Sequence, residues 1–190
     1  MTQNSTLPPE LVAAARKVVE ANVAAGRKIA VAESCTGGLV SASITEIPGS
    51  SEIFEAGFVT YSNEMKLSLL GVSLDVLETF GSVSVAVAWG MARGALDKTQ
   101  ADVAVAITGI AGPNGGTEKK PVGTVVFAVA TREGDPNEVV ADSRSFGDLG
   151  RGGPGRRGHR QLDRGAAPRG IRVDRQLGRL EELGVAGDAA

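Results

Sequence analysis

Two short apolar runs that break into glycine constrain this chain more than any other feature. Ile29 to Ala32 gives way to Glu33-Ser34-Cys35-Thr36-Gly37-Gly38, and a helix-like segment from Leu39 to Ile47 follows at once. That order reads strand, tight turn, helix start. Gly37 and Gly38 remove side chains where a ligand could approach the backbone. The N–H groups of a helix start, with the hydroxyls of Ser34 and Thr36, suit an anion such as phosphate. An ordinary strand-to-helix turn with a Ser/Thr cap is the alternative, and short glycine motifs alone do not decide between them. A second apolar run, Ala104 to Ile107, opens into Thr108-Gly-Ile-Ala-Gly-Pro-Asn-Gly-Gly116. In open α/β sheets ligands sit beyond the carboxyl ends of strands, so two such loops point to one shared pocket. Neither loop fits the phosphate-binding G-x-x-x-x-G-K-[ST] pattern or the dinucleotide G-x-G-x-x-G pattern.

The rest of the chain alternates in period. Leu11, Val12, Ala15, Val18, Val19 and Val23 follow helical spacing behind Pro8-Pro9, and Gly26 ends the run. A β-rich run spans Ile53 to Tyr61. Helices are predicted from Ser62 to Leu70, Ser73 to Phe80 and Val85 to Asp97, with Ala88 and Ala95 allowing close packing. A strand over Val122 to Ala130, a turn at Gly134 to Asn137 and a weaker strand over Val139 to Phe146 complete a hairpin. This alternation predicts a three-layer α/β/α sandwich with a mixed sheet.

Bulk properties exclude several classes. A formal net charge of -2 gives no global field toward nucleic acid or membrane, and 4% aromatic residues is poor for base stacking. One cysteine, Cys35, excludes an internal disulfide and fits a reducing compartment. No run approaches a membrane span, and the first nine residues lack a signal-peptide pattern. A cytoplasmic protein without membrane or nucleic-acid partners is expected, as a homo-oligomer.

Five stretches recur together in one known family: Ala32-Glu-Ser-Cys-Thr-Gly-Gly38, Gly57-Phe-Val-Thr-Tyr-Ser-Asn63, Lys66 with Leu70-Gly-Val72, Thr108-Gly-Ile-Ala-Gly-Pro113 and Lys120-Pro-Val-Gly-Thr-Val125. In this order and near this spacing they resemble the CinA C-terminal domain, the nicotinamide mononucleotide amidohydrolase family. The resemblance runs from about Leu11 to Asp148, inside a domain expected over residues 7–148. It implies an enzyme that hydrolyses the carboxamide of a pyridine nucleotide and releases ammonia, without metal or other cofactor.

The chemistry open to the folded body is narrow. The only histidine, His159, lies far beyond the motifs, so a Ser-His-Asp or Cys-His site there is excluded. What remains for nucleophilic amide hydrolysis is a hydroxyl activated by a lysine, with a tyrosine available as a relay. Ser51, Tyr61 and Lys66 are the candidates, and the resemblance points to the same three. Their ordinary readings are a turn cap, a core-edge aromatic and a solvated helix residue. Ser34, beside the Gly-Gly turn, is the rival nucleophile, but a substrate-binding or orienting role is favoured for it because its loop is better suited to hold the ligand. Thr36, Gly37 and Gly38, with Thr108, Gly109 and Gly112, are expected to bind substrate, the second loop holding the carboxamide or ribose. Cys35 reads as a packed residue. The rivals to an enzyme are a nucleotide-binding module without turnover and a competence- or damage-associated regulatory protein.

After Asp148 the composition breaks. Residues 150–190 hold nine of the 14 arginines and 10 of the 26 glycines, with no lysine and no aromatic residue. Their net charge is +4, against -6 for residues 1–149. Where the family continues Gly-Asp-Arg, this chain has Gly147-Asp148-Leu149, so a natural phosphate ligand is missing. Two readings of residues 149–190 stand side by side: a disordered basic tail, or the family's final helix read out of frame. For the second, GC-rich codons for Gly153-Pro-Gly-Arg-Arg157, displaced by one nucleotide, permit Val-Arg-Ala-Ala. Resequencing the coding DNA separates the two.

Overall fold

A computed structural model describes residues 5–135 and 138–146; the Arg/Gly-rich segment of residues 149–190, and part of the 134–137 turn, lie outside the described residues. The elements run α1 (Pro9–Ala25), β1 (Ile29–Glu33), α2 (Leu39–Thr45), a single 3-10 turn (Ser50–Glu52), β2 (Phe54–Val59), α3 (Asn63–Leu70), α4 (Leu74–Phe80), α5 (Val85–Asp97), β3 (Val103–Gly109), β4 (Thr124–Thr131) and β5 (Val140–Ser145). The sheet order is β2-β1-β3-β4-β5. β2, β1 and β3 are parallel, while β4 and β5 run antiparallel to their neighbours, so the sheet is mixed as expected.

The strands explain the layering. β1 reads Ile-Ala-Val-Ala-Glu and β3 begins Val-Ala-Val-Ala-Ile, with β4 in step as Val125, Phe127 and Val129 against Ala128 and Ala130. Because successive side chains face opposite sides of a sheet, the bulky residues line one face and the alanines the other. The bulky face packs against Leu11, Ala15, Val18 and Val19 of α1 and Val40 and Ile44 of α2. The alanine face packs against α5, which brings Val87, Ala88, Met91, Ala92 and Ala95, with Leu70 at the end of α3 and Leu77 of α4. Small residues on both partners let α5 lie close to the sheet. α3 crowds α5 in turn: a Cβ at Gly94 would collide with the carbonyl of Leu70, 2.7 Å from its carbon.

β1 connects to β2 on one side, whereas the neighbouring β3 connects to β4 on the other. The carboxyl ends of β1 and β3 therefore meet at a topological switch point, where open α/β sheets hold ligands. Ser62 caps α3, its side chain accepting from the Met65 N–H, and Gly71 ends it in a left-handed conformation. Among the described residues no helix is long and apolar enough to cross a membrane.

Candidate active site

Three hydroxyl residues stand side by side where the parallel strands end. The ladders pair Glu33 with Val59 and Ile107. Two further bonds, Thr60 N–H to the Glu33 carbonyl and Ser34 N–H to the Ile107 carbonyl, carry the register one step on. Thr60, Ser34 and Thr108 thus form a row across β2, β1 and β3, with strands about 4.8 Å apart. By alternation from Ala30 and Ala32 the row lies on the α3 and α5 side of the sheet. Thr108 donates to the Ser82 carbonyl (2.8 Å), which ties β3 to the segment before α5. The hydroxyls of Thr36 and Thr60 are buried with no hydrogen-bond partner among the described residues.

Lys66 closes the row from above. It is 1% exposed, and its Nζ lies 3.1 Å from Ser34 Oγ and donates to the Thr60 carbonyl at 2.8 Å. The carbonyls of Tyr61 and Ser62 are each 3.5 Å away. The segment from Thr60 to Ser62 therefore wraps the amine in carbonyl oxygens one helical turn before Lys66 itself. Loss of solvent on burial pulls the amine below the usual lysine range, opposed by the neighbouring Cys35 and Glu64. In the neutral form two N–H groups bond to carbonyls, and the lone pair is left for the Ser34 hydroxyl proton. A hydroxyl held this close to a lysine amine has the geometry in which the amine can act as its base.

Ser51 is not part of this assembly. It sits exposed on the 3-10 turn before β2, whereas Lys66 follows the other end of that strand. Six residues of β2 place the two about 20 Å apart. The structure does not bring Ser51 to Lys66, and Ser34 is the hydroxyl next to the amine. Tyr61 lies at the right end of β2, but it is its carbonyl that approaches Lys66, and the residue is 67% exposed.

The expected anion cradle at the start of α2 is corrected. The N–H groups of Gly38, Val40 and Ser41 donate to the carboxylate of Glu33 at 3.0, 3.1 and 2.8 Å. The Gly37 and Leu39 N–H groups donate to the Ser34 and Thr36 carbonyls. The helix start is satisfied from within the chain. Gly37 and Gly38 are glycines because both adopt positive φ, 63° and 95°.

The second glycine loop packs against the body as well. A Cβ at Gly109 would meet the Thr124 carbonyl at 2.8 Å and Cys35 Sγ at 2.9 Å; one at Gly112 would meet Val122 at 2.5 Å. These two glycines serve close packing. Lys120 anchors the loop to the end of α4 through the Phe80 carbonyl (2.9 Å). Cys35 is buried, and burial pushes its thiol up to about 12, so it is held as an unreactive thiol.

Glu33 and Thr60 were not singled out from the sequence. The available signal for Glu33 was a carboxylate closing an otherwise apolar strand immediately before a Gly-Gly helix start. The place of Thr60 depends on register, which the sequence does not display.

Fold and site together define an α/β/α sandwich with a buried Ser–Lys pair at the carboxyl edge of its parallel strands. The chain belongs to the CinA C-terminal domain family, whose model matches residues 12–150. It is 53% identical over 126 residues to nicotinamide-nucleotide amidohydrolase PncC of Escherichia coli (strain K12), covering 66% of this chain and 76% of that protein. It is 60% identical over 127 residues to a CinA-like protein of Mycobacterium avium (strain 104), covering 66% of this chain and 29% of that one. Among solved structures, the competence/damage inducible protein CihA from Agrobacterium tumefaciens superposes with a TM-score of 0.73 at 45% identity, covering 77% of this chain and 87% of that one. The chain spans between a quarter and three tenths of the length of several curated relatives that it matches.

Proposed function

We propose that this domain is an amidohydrolase that converts nicotinamide mononucleotide to nicotinate mononucleotide and ammonia. The observation that carries the reading is the buried Lys66 amine 3.1 Å from Ser34 Oγ at the switch point of the sheet. The PncC relative supports the substrate class, since its name specifies a nicotinamide nucleotide.

The steps follow from the pair. Neutral Lys66 takes the Ser34 proton as Oγ attacks the carboxamide carbon. The tetrahedral intermediate collapses, the C–N bond breaks, and the proton on Lys66 leaves with ammonia. Water then attacks the acyl ester, Lys66 accepting a proton from it and returning that proton to Ser34. Burial serves this cycle by lowering the Lys66 pKa, which favours its basic, uncharged form. The Thr60–Ser34–Thr108 row supplies polar groups beside the reacting carbon.

The test is ammonia release from nicotinamide mononucleotide by the purified chain, followed with the appearance of the acid. Stoichiometric ammonia and nicotinate mononucleotide support the reading. Thermal stabilisation by the nucleotide without turnover contradicts the enzyme and selects a binding module.

A further inference from the structure

Glu33 is completely buried at the end of β1, beside the nucleophile in sequence and opposite to it in space. Ile29, Val31 and Glu33 face the α1 and α2 layer, whereas Ser34 faces Lys66 on the other side of the sheet. Both carboxylate oxygens are engaged. Oε2 accepts from the Gly38 and Val40 N–H groups, and Oε1 accepts from the Ser41 N–H and from Ser41 Oγ at 2.6 Å. The chain from residue 33 to residue 41 is thereby closed on itself, and the turn that carries Ser34 lies inside the closure.

A second feature is built around the same contacts. Gly57 of β2 pairs with Val31, and a Cβ there would meet Ser41 Oγ at 2.5 Å. The missing side chain makes room for the hydroxyl that binds Glu33. Gly38 lies under Val59, whose methyl would touch a Cβ at 3.4 Å. β2 is thus shaped to receive the turn in this one arrangement.

We propose that Glu33 is a positioning residue, whose buried carboxylate holds the Ser34–Gly38 turn in the shape that sets Ser34 Oγ on Lys66. This rests on the reading of Ser34 and Lys66 as nucleophile and base. Glu33 touches no reacting atom; its effect passes through the backbone of the turn. A carboxylate fits because it accepts on both oxygens, while a glutamine offers one acceptor oxygen and turns two N–H bonds toward donors. A displacement of about 1 Å in a reacting group costs about 10²-fold in rate.

The experiment compares wild type, Glu33→Gln, Ser41→Ala and Ser34→Ala by kcat and KM for ammonia release from nicotinamide mononucleotide. The folded fraction of each is measured by circular dichroism at the assay temperature. For Glu33→Gln, kcat per folded molecule should fall about 10²-fold while KM changes less than about 3-fold. Ser41→Ala, which removes one of the four donors, should fall about 3-fold to 10-fold on the same scale. A carboxylate that served only as a helix cap would lower the melting temperature and leave kcat per folded molecule unchanged, which overturns the proposal. If Glu33→Gln does not fold, Ser41→Ala decides: a lower kcat supports the proposal and an unchanged one overturns it. Ser34→Ala separates the two levels. Turnover that survives in Ser34→Ala refutes the nucleophile assignment and this proposal together. Turnover lost in Ser34→Ala but kept in Glu33→Gln and Ser41→Ala refutes this proposal alone.

Discussion

Replacing Lys66 by methionine tests the base and the fold in one variant. The stem is kept in volume and the amine is removed. In catalysis the loss is that of a general base, about 10²-fold to 10⁴-fold in kcat. In stability two effects oppose. Removing the 2.8 Å bond leaves the Thr60 carbonyl short of a donor, a cost of about 1–3 kcal/mol. Removing an amine whose deprotonation on burial costs free energy near neutral pH opposes this. The informative quantity is therefore the pH dependence of the net change. Burial lowers the Lys66 pKa in the folded state, so between that pKa and the unfolded value the unfolded chain binds more protons. The stability of wild type relative to Lys66→Met should then rise with pH across that window and level off above pH about 10.4. Urea unfolding of both proteins measures it from pH 6 up to about pH 9, below the range in which Cys35 titrates. A difference that stays constant over the range would show that Lys66 titrates as an ordinary lysine, and the neutral-base mechanism would fall.

Three further outcomes are expected. With its thiol pushed up to about 12 by burial, Cys35 should not react with a disulfide-exchange reagent at pH 8 in the native protein and should react fully once unfolded; rapid native labelling would contradict its burial. The protonated thiol favours the fold below pH about 9, and this contribution is lost as pH rises from there toward 12. Gly94→Ala gains about 1 kcal/mol of helix propensity but forces α5 off the Leu70 carbonyl, an overpacking cost of about 1–3 kcal/mol. It should lower the melting temperature by a few degrees and lower kcat as α3 carries Lys66 away; an unchanged melting temperature and kcat would refute the close approach.

Much of the fold was legible because its period is simple. The Ile-Ala-Val-Ala and Val-Ala-Val-Ala runs fix two strands with unlike faces, and Ser62, Ser73 and Ser84 each cap the helix expected after them. Lys66 was legible as a candidate base because the only histidine, His159, lies beyond the motifs. The placement of Ser51 away from Lys66 was not legible, because hydroxyl chemistry says nothing about which end of a strand a residue occupies. The length of β2 separates it from Lys66 and leaves Ser34 next to the amine. The start of α2 misled for a related reason. A Gly-Gly helix start looks the same whether its N–H groups await an anion or already hold Glu33. Only the side to which Glu33 points distinguishes them, and that depends on which layer covers β1. The Thr60–Ser34–Thr108 row belongs to strand register and has no sequence signature.

The most direct measurement sets Ser34→Ala against Ser51→Ala in the ammonia-release assay with nicotinamide mononucleotide. Both substitutions remove a single hydroxyl and add no bulk. Ser34→Ala should lose turnover by at least about 10³-fold while still binding the nucleotide, and Ser51→Ala should keep kcat within about 2-fold of wild type. Loss of turnover in Ser51→Ala with activity retained in Ser34→Ala would contradict the Ser34–Lys66 site.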